Sequence, residues 1–271
     1  MTIDTPDILK QVLACRRERV EAAKAVMRPG KLEEFARQAE PPRDFAAAIR
    51  RDPSSLIPRP SSVRLIAEIK RRSPSKGVIR TDFDHKQIAA LYDRSEASAI
   101  SVLTEPDFFD GDLQHLIEVR GLSHKPALRK DFIFDEYQVY ESVVAGADAI
   151  LLIVAMLDDE QLHGLLQLAH SFNRVALVET HNAHEVERAL SAGAQIVGIN
   201  NRNLRDFSEN LDTTTRLRPM IPAGVIVVSE SAIRTRDDVK RLEGAGVDAI
   251  LVGETLMRSE DLAAMVTELL G

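Results

Sequence analysis

Four short segments of this chain resemble one another and recur about every 50 residues. Each is a turn of small residues that leads into an aliphatic run, and the four begin at Ala97, Gly146, Gly193 and Gly246. A helical stretch that closes in such a turn is typical of a helix followed by a buried parallel strand. The recurrence therefore predicts a chain of repeated helix-to-strand units.

Further aliphatic runs lie between these segments, at residues 64–69, 126–129, 174–178 and 225–229. Polar residues and then a stretch with helical periodicity follow the runs. About eight strand–helix units over residues 64–271 predict a (β/α)₈ TIM barrel of the α/β class. A doubly wound parallel sheet is the alternative fold, because the number of strands does not show that the sheet closes.

The residues ahead of the first predicted strand form a separate segment. The motif Thr5-Pro6-Asp7 supplies a helix cap, a proline at the first helical position and an early acid. Apolar residues continue at helical spacing at Ile8, Leu9, Val12, Leu13 and Val20. Residues 52–60 predict an extended linker. We therefore divide the chain into an N-terminal helical extension packed on the barrel, residues 1–60, and a catalytic barrel, residues 61–271.

The composition limits the possible partners. Hydrophobic residues make up 44% of the chain and charged residues 28%, as in a globular protein with a large core. The net charge is −7, so no global positive field attracts nucleic acid or an anionic membrane. Any site for a phosphate group must therefore be local.

One cysteine and the lengths of the apolar segments constrain the compartment. Cys15 is the only cysteine, which excludes an intramolecular disulfide and fits a reducing compartment. The longest strongly apolar stretch, residues 149–157, has about half the length that spans a bilayer. The first residues lack the pattern of a secretory signal. We expect a soluble, cytoplasmic protein.

Charged residues end the first predicted strand. Because side chains alternate along a strand, Glu68 and Lys70 lie on the same side as Ile66, which predicts that both point into the barrel. A charged pair inside a barrel is costly unless it is paired or functional. We expect a catalytic pair, with a purely structural ion pair as the alternative.

Polar side chains also follow the third, fifth and sixth predicted strands, at the barrel end where this fold places active sites. Arg129 or Lys130 lies at the rim, with a solvated charge as the alternative. Glu179 is suited to act as a general base if it is partly desolvated; otherwise it is a helix N-terminal acid. Asn200 offers a donor and an acceptor or forms a turn, and Arg202 can bind a carboxylate with two donors.

The seventh and eighth predicted strands end in small and polar residues. Glu230, Ser231 and Ala232 follow the seventh, and Gly253 and Glu254 follow the eighth. Small residues let backbone N–H groups approach a ligand, and the N-terminus of the next helix favours an anion. The pattern predicts a phosphate site and hence a phosphorylated small-molecule substrate.

Two histidines and two acidic loop residues are not expected to bind a metal ion. His181 and His184 stand three residues apart at a helix start, which predicts solvated or capping residues in place of metal ligands. Asp82 and Asp84 are predicted to be turn and cap residues.

Several motifs, most of them at predicted strand ends, together carry a family pattern. They are Ile66-Ala67-Glu68-Ile69-Lys70, Ser73-Pro74-Ser75-Lys76-Gly77, Val102-Leu103-Thr104-Glu105, Phe108-Phe109-Asp110-Gly111, Arg129-Lys130-Asp131-Phe132-Ile133, Leu177-Val178-Glu179, Gly198-Ile199-Asn200-Asn201-Arg202-Asn203-Leu204 and Ser229-Glu230-Ser231. The set resembles indole-3-glycerol-phosphate synthase. The resemblance spans the chain and includes residues 43–49, which are similar to the family's segment ahead of the barrel.

The resemblance implies a reaction. 1-(2-Carboxyphenylamino)-1-deoxyribulose 5-phosphate is closed to indole-3-glycerol phosphate with loss of CO₂ and water, in tryptophan biosynthesis. No cofactor or metal is implied. Other enzymes of the pathway are possible partners, and the chain has no room for a fused phosphoribosylanthranilate isomerase domain, so a monofunctional enzyme is expected.

The resemblance also implies roles for the strand-end residues. Lys130 is the acid for ring closure, Glu179 is the base, and Lys70 contacts the substrate carboxylate and serves dehydration. The positions that match residues orienting the lysines and the substrate hydroxyls are Glu68, Asn200 and Ser231.

Substrate contacts are implied in the same way. Ser73 and Arg202 match contacts near the anthranilate carboxylate, and Phe109 and Phe132 line the pocket for the aryl ring.

Three positions depart from the family pattern. Ala232 stands where Gly is usual in the phosphate loop, Glu254 replaces a small polar residue, and Asp112 replaces a Ser. Because a helical stretch follows from Thr235, we expect Ala232 to adopt an ordinary helical φ and its N–H to bind phosphate.

Two other functions fit the residues. A Schiff-base aldolase also needs a strand-end lysine and a phosphate loop, with the lysine pKa lowered by its neighbours. A catalytically silent phosphate-binding barrel would keep the fold, but two inward lysines and two carboxylates would then have no purpose.

Overall fold

The computed structural model describes residues 6–51 and 62–271, and in it eight parallel strands form a closed barrel. The strands are β1 (Arg64–Ile69), β2 (Ala99–Leu103), β3 (Ala127–Lys130), β4 (Ala149–Ile153), β5 (Val175–Thr180), β6 (Ile196–Asn200), β7 (Ile226–Glu230) and β8 (Ala249–Val252). β1 closes the ring, since Arg64 pairs with Ala249 of β8 and Ile66 pairs with Ala99 of β2. The TIM-barrel prediction is confirmed, and the open doubly wound sheet is excluded.

Three helices precede the barrel: α1 (Asp7–Val26), α2 (Pro29–Arg37) and α3 (Phe45–Ile49). The predicted opening helix is therefore confirmed, while Thr5 and the predicted linker, residues 52–60, lie outside the described residues. Salt bridges fasten α1 to loops at the carboxyl end of the barrel. They join Arg16 to Asp131 at 3.1 Å, Arg19 to Asp107 at 2.6 Å and Lys24 to Asp135 at 2.7 Å.

Helices surround the strands. They are α4 (His85–Arg94), α5 (Pro106–Phe109), α6 (Leu113–Leu122), α7 (Glu136–Val144), α8 (Asp159–Ser171), α9 (Ala183–Ser191), α10 (Asp212–Leu217), α11 (Arg236–Ala245), α12 (Glu254–Arg258) and α13 (Leu262–Leu270). Val154–Met156 and Arg218–Met220 form 3₁₀ turns, and Arg72–Ser73 pairs with Gly77–Val78 in a short antiparallel ladder. Within the described ranges, none of the helices is long and apolar enough to cross a membrane.

The residues at the helix ends follow the sequence prediction. Asp84 caps α4 by accepting hydrogen bonds from Lys86 and Gln87, as predicted, and Asp112 caps α6. Gly146 and Gly246 have φ of +81° in the turns that precede β4 and β8, a backbone conformation that favours glycine. The recurring small-residue turns are therefore helix endings that redirect the chain into a strand.

The barrel core sits below the polar end of the strands. All residues of β2, β4, β6, β7 and β8 are buried. Most are aliphatic, but Glu68 on β1, Glu179 on β5 and Glu230 on β7 are buried carboxylates. Three acids in an aliphatic core require compensating partners.

Candidate active site

A cavity of about 370 Å³ opens at the carboxyl ends of the strands. All the residues predicted for the site line it: Glu68, Lys70, Ser73, Phe109, Lys130, Phe132, Glu179, Asn200, Arg202, Glu230, Ser231, Ala232, Gly253 and Glu254. Helix α1 adds Ile8, Leu9 and Val12 to the wall. The extension therefore forms part of the cavity.

Lys130 at the end of β3 is the cation at the centre of the site. Its Nζ lies 2.9 Å from Glu230 and 3.1 Å from Glu179, so one ammonium bridges two strands of the opposite wall. Burial alone would lower the pKa of Lys130, but the carboxylates of Glu230, Glu179 and Glu68 outweigh burial and raise it. Lys130 is held protonated, as a proton donor.

Arg129 points away from the cavity. Its guanidinium is fully buried outside the barrel wall, 2.9 Å from Asp131 and 2.7 Å from Glu141. Arg16 of α1 contacts the same Asp131 carboxylate. Because neighbouring residues on a strand face opposite ways, Lys130 enters the site and Arg129 anchors the extension behind it.

Glu179 is the carboxylate most strongly held in its ionised form. Oε2 accepts from Lys130, Oε1 accepts from Asn200 Nδ2 at 3.1 Å, and His181 Nε2 lies 3.3 Å from Oε1. Burial would raise the pKa of Glu179, but Lys130, His181 and Asn200 together lower it below its usual range. Glu179 is thus available to accept a proton.

His181 differs from its prediction. The imidazole is partly buried between Glu179 and Glu185, while Asn182 caps α9 and His184 is exposed. The expectation of a solvated or capping residue is therefore wrong for His181. For His184 the expected exposure to solvent is confirmed. The position of His181 two residues after Glu179 was the available signal, because such residues share one face of a strand.

Glu230 completes the charge cluster from β7. Burial raises its pKa to about 7, with Lys130 opposing and Glu179 adding to the rise. A side chain at Gly198 on β6 would collide with Glu230 Oε1, so the glycine makes room for this carboxylate. Glu230 is the first residue of the segment that the sequence predicts to bind phosphate. Its carboxylate instead contacts Lys130.

Lys70 and Glu68 form a second ion pair inside the barrel. Lys70 Nζ lies 2.7 Å from Glu68 Oε1, and their side chains are 11% and 5% exposed. A side chain at Gly253 would collide with Glu68 and Lys70. The predicted inward orientation of the pair is confirmed, and Gly253 is small because the pair passes beside it.

The rim of the cavity combines an arginine with aromatic and hydroxyl groups. Arg202 binds Glu209 through Nε at 2.9 Å and Glu254 at 3.1 Å. The Phe109 and Phe132 rings lie 5.9 Å apart. The buried hydroxyl of Ser73 has no hydrogen-bond partner among the described residues. An anionic group and an aromatic ring can both be accommodated here.

The loop after β7 corrects the expectation for Ala232. Ser231 and Ala232 have φ of +65° and +63°, so Ala232 is left-handed and not helical. Asn201 fixes this loop, since its Nδ2 donates to Ser229 Oγ, the Glu230 carbonyl and the Ser231 carbonyl. Hydrogen bonding from Asn201, the residue after β6, therefore sets a backbone conformation that local sequence did not predict.

Substitutions at Ala232 test this geometry. A left-handed conformation costs an L-residue about 1–2 kcal/mol, whereas Gly adds about 0.4–1 kcal/mol of unfolded-state entropy. We expect Ala232→Gly to raise the free energy of unfolding by about 0.5–1 kcal/mol and to change KM by less than about threefold. Ala232→Val should lower it by more than about 1 kcal/mol, because β-branched residues avoid positive φ. Urea unfolding of the parent protein and both variants measures these free energies. A Val variant more stable than the parent protein would contradict the left-handed conformation of Ala232.

No group of three or more potential metal-ligating side chains lies within residues 6–51 and 62–271 in an arrangement that could hold a metal ion. The lysines and carboxylates that line the cavity are suited to proton transfer and to electrostatic stabilisation of an anion.

A closed βα barrel with lysine–carboxylate pairs at the carboxyl ends of its strands defines a TIM-barrel enzyme of the acid–base type. The family model for indole-3-glycerol phosphate synthase matches residues 9–269, and the chain belongs to this family.

Relatives agree with the family model. The chain is 58% identical to indole-3-glycerol phosphate synthase of Dehalococcoides mccartyi strain CBDB1 over 77% of this chain and 82% of that protein. It is 47% identical to the Roseiflexus sp. strain RS-1 enzyme of the same name, over 97% and 98%. The Salmonella typhimurium 3-hexulose-6-phosphate synthase structure, at 14% identity and a TM-score of 0.61, covers 76% of this chain and 96% of its own, and shares the fold alone.

Proposed function

We propose that the chain converts 1-(2-carboxyphenylamino)-1-deoxyribulose 5-phosphate to indole-3-glycerol phosphate, CO₂ and water, as a carboxy-lyase of tryptophan biosynthesis. The observation that carries the proposal is the 3.1 Å contact of Lys130 with Glu179 in one cavity, where the surrounding charges favour a protonated lysine and an ionised carboxylate. The reaction needs an acid and a base within reach of one substrate.

Ring closure uses the first lysine. The aryl carbon that bears the carboxylate forms a bond to the ketone carbon, and the ketone oxygen takes a proton from Lys130 Nζ. The bond to the carboxylate then breaks, CO₂ leaves, and the electron pair restores aromaticity. A preorganised cation beside the developing oxyanion is the largest source of rate enhancement in such a step.

Dehydration uses the second lysine and the base. The new hydroxyl leaves as water with a proton from Lys70, and Glu179 accepts the proton lost when the indole double bond forms. Glu68 orients Lys70, to which it is ion-paired, and Asn200 orients Glu179 by its hydrogen bond. Glu230 keeps Lys130 cationic.

The remaining lining residues bind the substrate in this proposal. Ser73 and Arg202 contact the carboxylate, and Phe109 and Phe132 contact the ring. The phosphate binds the backbone N–H groups of the loops after β7 and β8, which hold Ser231, Ala232, Gly253 and Glu254. The carboxylate of Glu254 lies close to this anion site. Its ion pairs with Arg202 and Arg258 fix its position and balance its charge.

The N-terminal extension, taken as residues 1–60 ahead of a barrel of residues 61–271, acts as a wall of the site. Leu9→Ala combined with Val12→Ala is expected to raise KM by about tenfold with kcat nearly unchanged, because lost apolar contact weakens ground state and transition state alike. Val20→Ala is the control, since Val20 is buried on the same helix against Leu32 and Tyr137. Equal KM values in both proteins would show that α1 is a passive flank.

A Schiff-base aldolase is disfavoured by the same geometry. A nucleophilic lysine needs a lowered pKa, and the carboxylates around Lys130 raise it. Purified protein incubated with the carboxyphenylamino deoxyribulose phosphate should develop indole fluorescence, and borohydride should trap no covalent adduct. Trapped substrate without fluorescence would indicate the aldolase.

A cytoplasmic location and contacts with other enzymes of the pathway belong to the proposal as well. The single cysteine fits a reducing compartment and supports the location, and the assigned place in tryptophan biosynthesis is the ground for the contacts. Co-purification from cell extract with the tagged full chain would test the contacts.

A further inference from the structure

His181 lies behind the base, on the side away from Lys130. It follows β5 directly, and its side chain is 13% exposed. Its Nε2 is 3.3 Å from Glu179 Oε1, and its Nδ1 is 3.0 Å from Glu185 Oε2. The imidazole thus stands between a buried carboxylate of the barrel and a carboxylate of α9.

Glu185 is itself fixed. Its Oε2 also accepts from the backbone N–H of His181 at 2.8 Å, and its Oε1 accepts from Asn182 Nδ2 at 2.6 Å. A carboxylate held by two donors besides the imidazole cannot easily turn away. The ring orientation is therefore set by α9, and it places Nε2 3.3 Å from Glu179 Oε1 as an ion-pair contact without hydrogen-bond geometry.

The charges around His181 favour the imidazolium. Glu179 and Glu185 face it directly, and beyond Glu179 lie Lys130 on β3 and Glu230 on β7. Burial would lower the pKa of His181, but the two carboxylates raise it to about 10. At neutral pH the ring supplies a second cation to Glu179.

The outer side of His181 borders a second cleft of about 1120 Å³, which adjoins the active-site cavity and shares Asn200 and Arg202 with it. The charged residues lining that cleft include the acidic residues 158–160 and Arg188, Arg202, Arg205 and Arg216. Arg188 is bound to Asp159 at 2.6 Å, and Arg202 to Glu209 and Glu254. These two arginines are paired elsewhere, and the groups in direct contact with the imidazole remain Glu179 and Glu185.

We propose that His181 is a positioning residue for Glu179, which it holds oriented and ionised from the face opposite Lys130 during the stage at which Lys130 has given up its proton. The inference rests on the proposed function, in which Lys130 is the acid and Glu179 the base. Once Lys130 is neutral, Glu179 loses its main counter-charge. A cation that does not take part in the chemistry then keeps the base available for the later proton abstraction.

Kinetics against pH give the first test, with His181→Asn compared with His184→Asn, an exposed histidine three residues away. Loss of a cation next to a carboxylate raises that carboxyl pKa by about one unit or more. The acid limb of kcat/KM should move to higher pH by at least that amount in His181→Asn, and kcat should fall by about tenfold or more with KM within about threefold. His184→Asn should match the parent protein.

Glu185→Gln provides a second variant that keeps the ring. It removes one of the two carboxylates that raise the pKa of His181, so that pKa should fall, and kcat should drop at the basic pH values where the ring is now neutral. If His181→Asn fails to fold by circular dichroism, this variant decides the question alone. A pH profile in either folded variant identical to that of His184→Asn overturns the inference.

A readout without substrate separates this inference from the proposed function. In NMR titration the His181 ring should stay protonated to about pH 10 and should titrate at lower pH in Glu179→Gln. Because the folded pKa is raised from 6.5, its contribution to stability is complete below pH 6.5 and is lost as pH rises through about 10. Titration near 6.5 contradicts the inference, whereas an inactive parent protein with a raised His181 pKa contradicts only the function.

Discussion

Lys130→Ala is expected to abolish turnover, with kcat lower by about 10²–10⁴-fold and substrate affinity within about tenfold. Lys130 Nζ is the cation placed between Glu179 and Glu230, and its proton is used only in the transition state for ring closure. Loss of such a group affects kcat far more than binding. Steady-state kinetics and calorimetric binding to the same protein measure both quantities.

Lys125→Ala is the matched control for this variant. Lys125 is a half-buried lysine just ahead of β3, at the opposite end of the barrel, where its Nζ bonds the Ser95 carbonyl. Its loss should leave kcat unchanged. Near wild-type kcat in Lys130→Ala would show that the acid is misassigned, and Lys70 would then be the remaining candidate.

Glu179→Gln should lower kcat by about 10²–10³-fold. The amide keeps the shape of the side chain, and its single oxygen can still accept from Lys130 or from Asn200, so the variant removes the basic oxygen with little change in side-chain volume. The defect should persist from pH 5 to pH 9, because an amide does not titrate in this range.

Glu141→Gln is the control for the loss of a paired carboxylate. Glu141 binds Arg129 outside the barrel wall and is not one of the residues that line the cavity. It should reduce stability with kcat retained. If Glu179→Gln also retained kcat within about threefold, Glu179 would not be the base.

The strand-end residues were predictable because parallel strands bring their carboxyl ends together and side chains alternate along each strand. The inward direction of Glu68 and Lys70 follows from this alternation alone. Contacts across the barrel do not follow from it: Lys130 and Glu230 are 100 residues apart in the chain. Their pairing depends on barrel closure, which local sequence does not encode.

Ala232 and His181 show where local reasoning fails for different physical reasons. The left-handed φ of Ala232 belongs to a loop that Asn201 holds from the end of the neighbouring strand β6, so the helical residues after Ala232 did not indicate its conformation. His181 was assigned to the solvent side of a helix start, but Glu185 turns its ring inward. For Ala232 a tertiary hydrogen bond outweighs the local preference, and for His181 the deciding hydrogen bond comes from a residue four positions later in the chain.

The most direct measurement uses substrate carrying ¹³C in its carboxylate. In a single turnover with the full chain, mass spectrometry should find one labelled CO₂ for each indole-3-glycerol phosphate, with neither product formed by Lys130→Ala. This stoichiometry is expected because decarboxylation follows ring closure and restores aromaticity. An indole product that retained the label, or labelled CO₂ released without indole, would contradict the assignment of the cavity to this reaction.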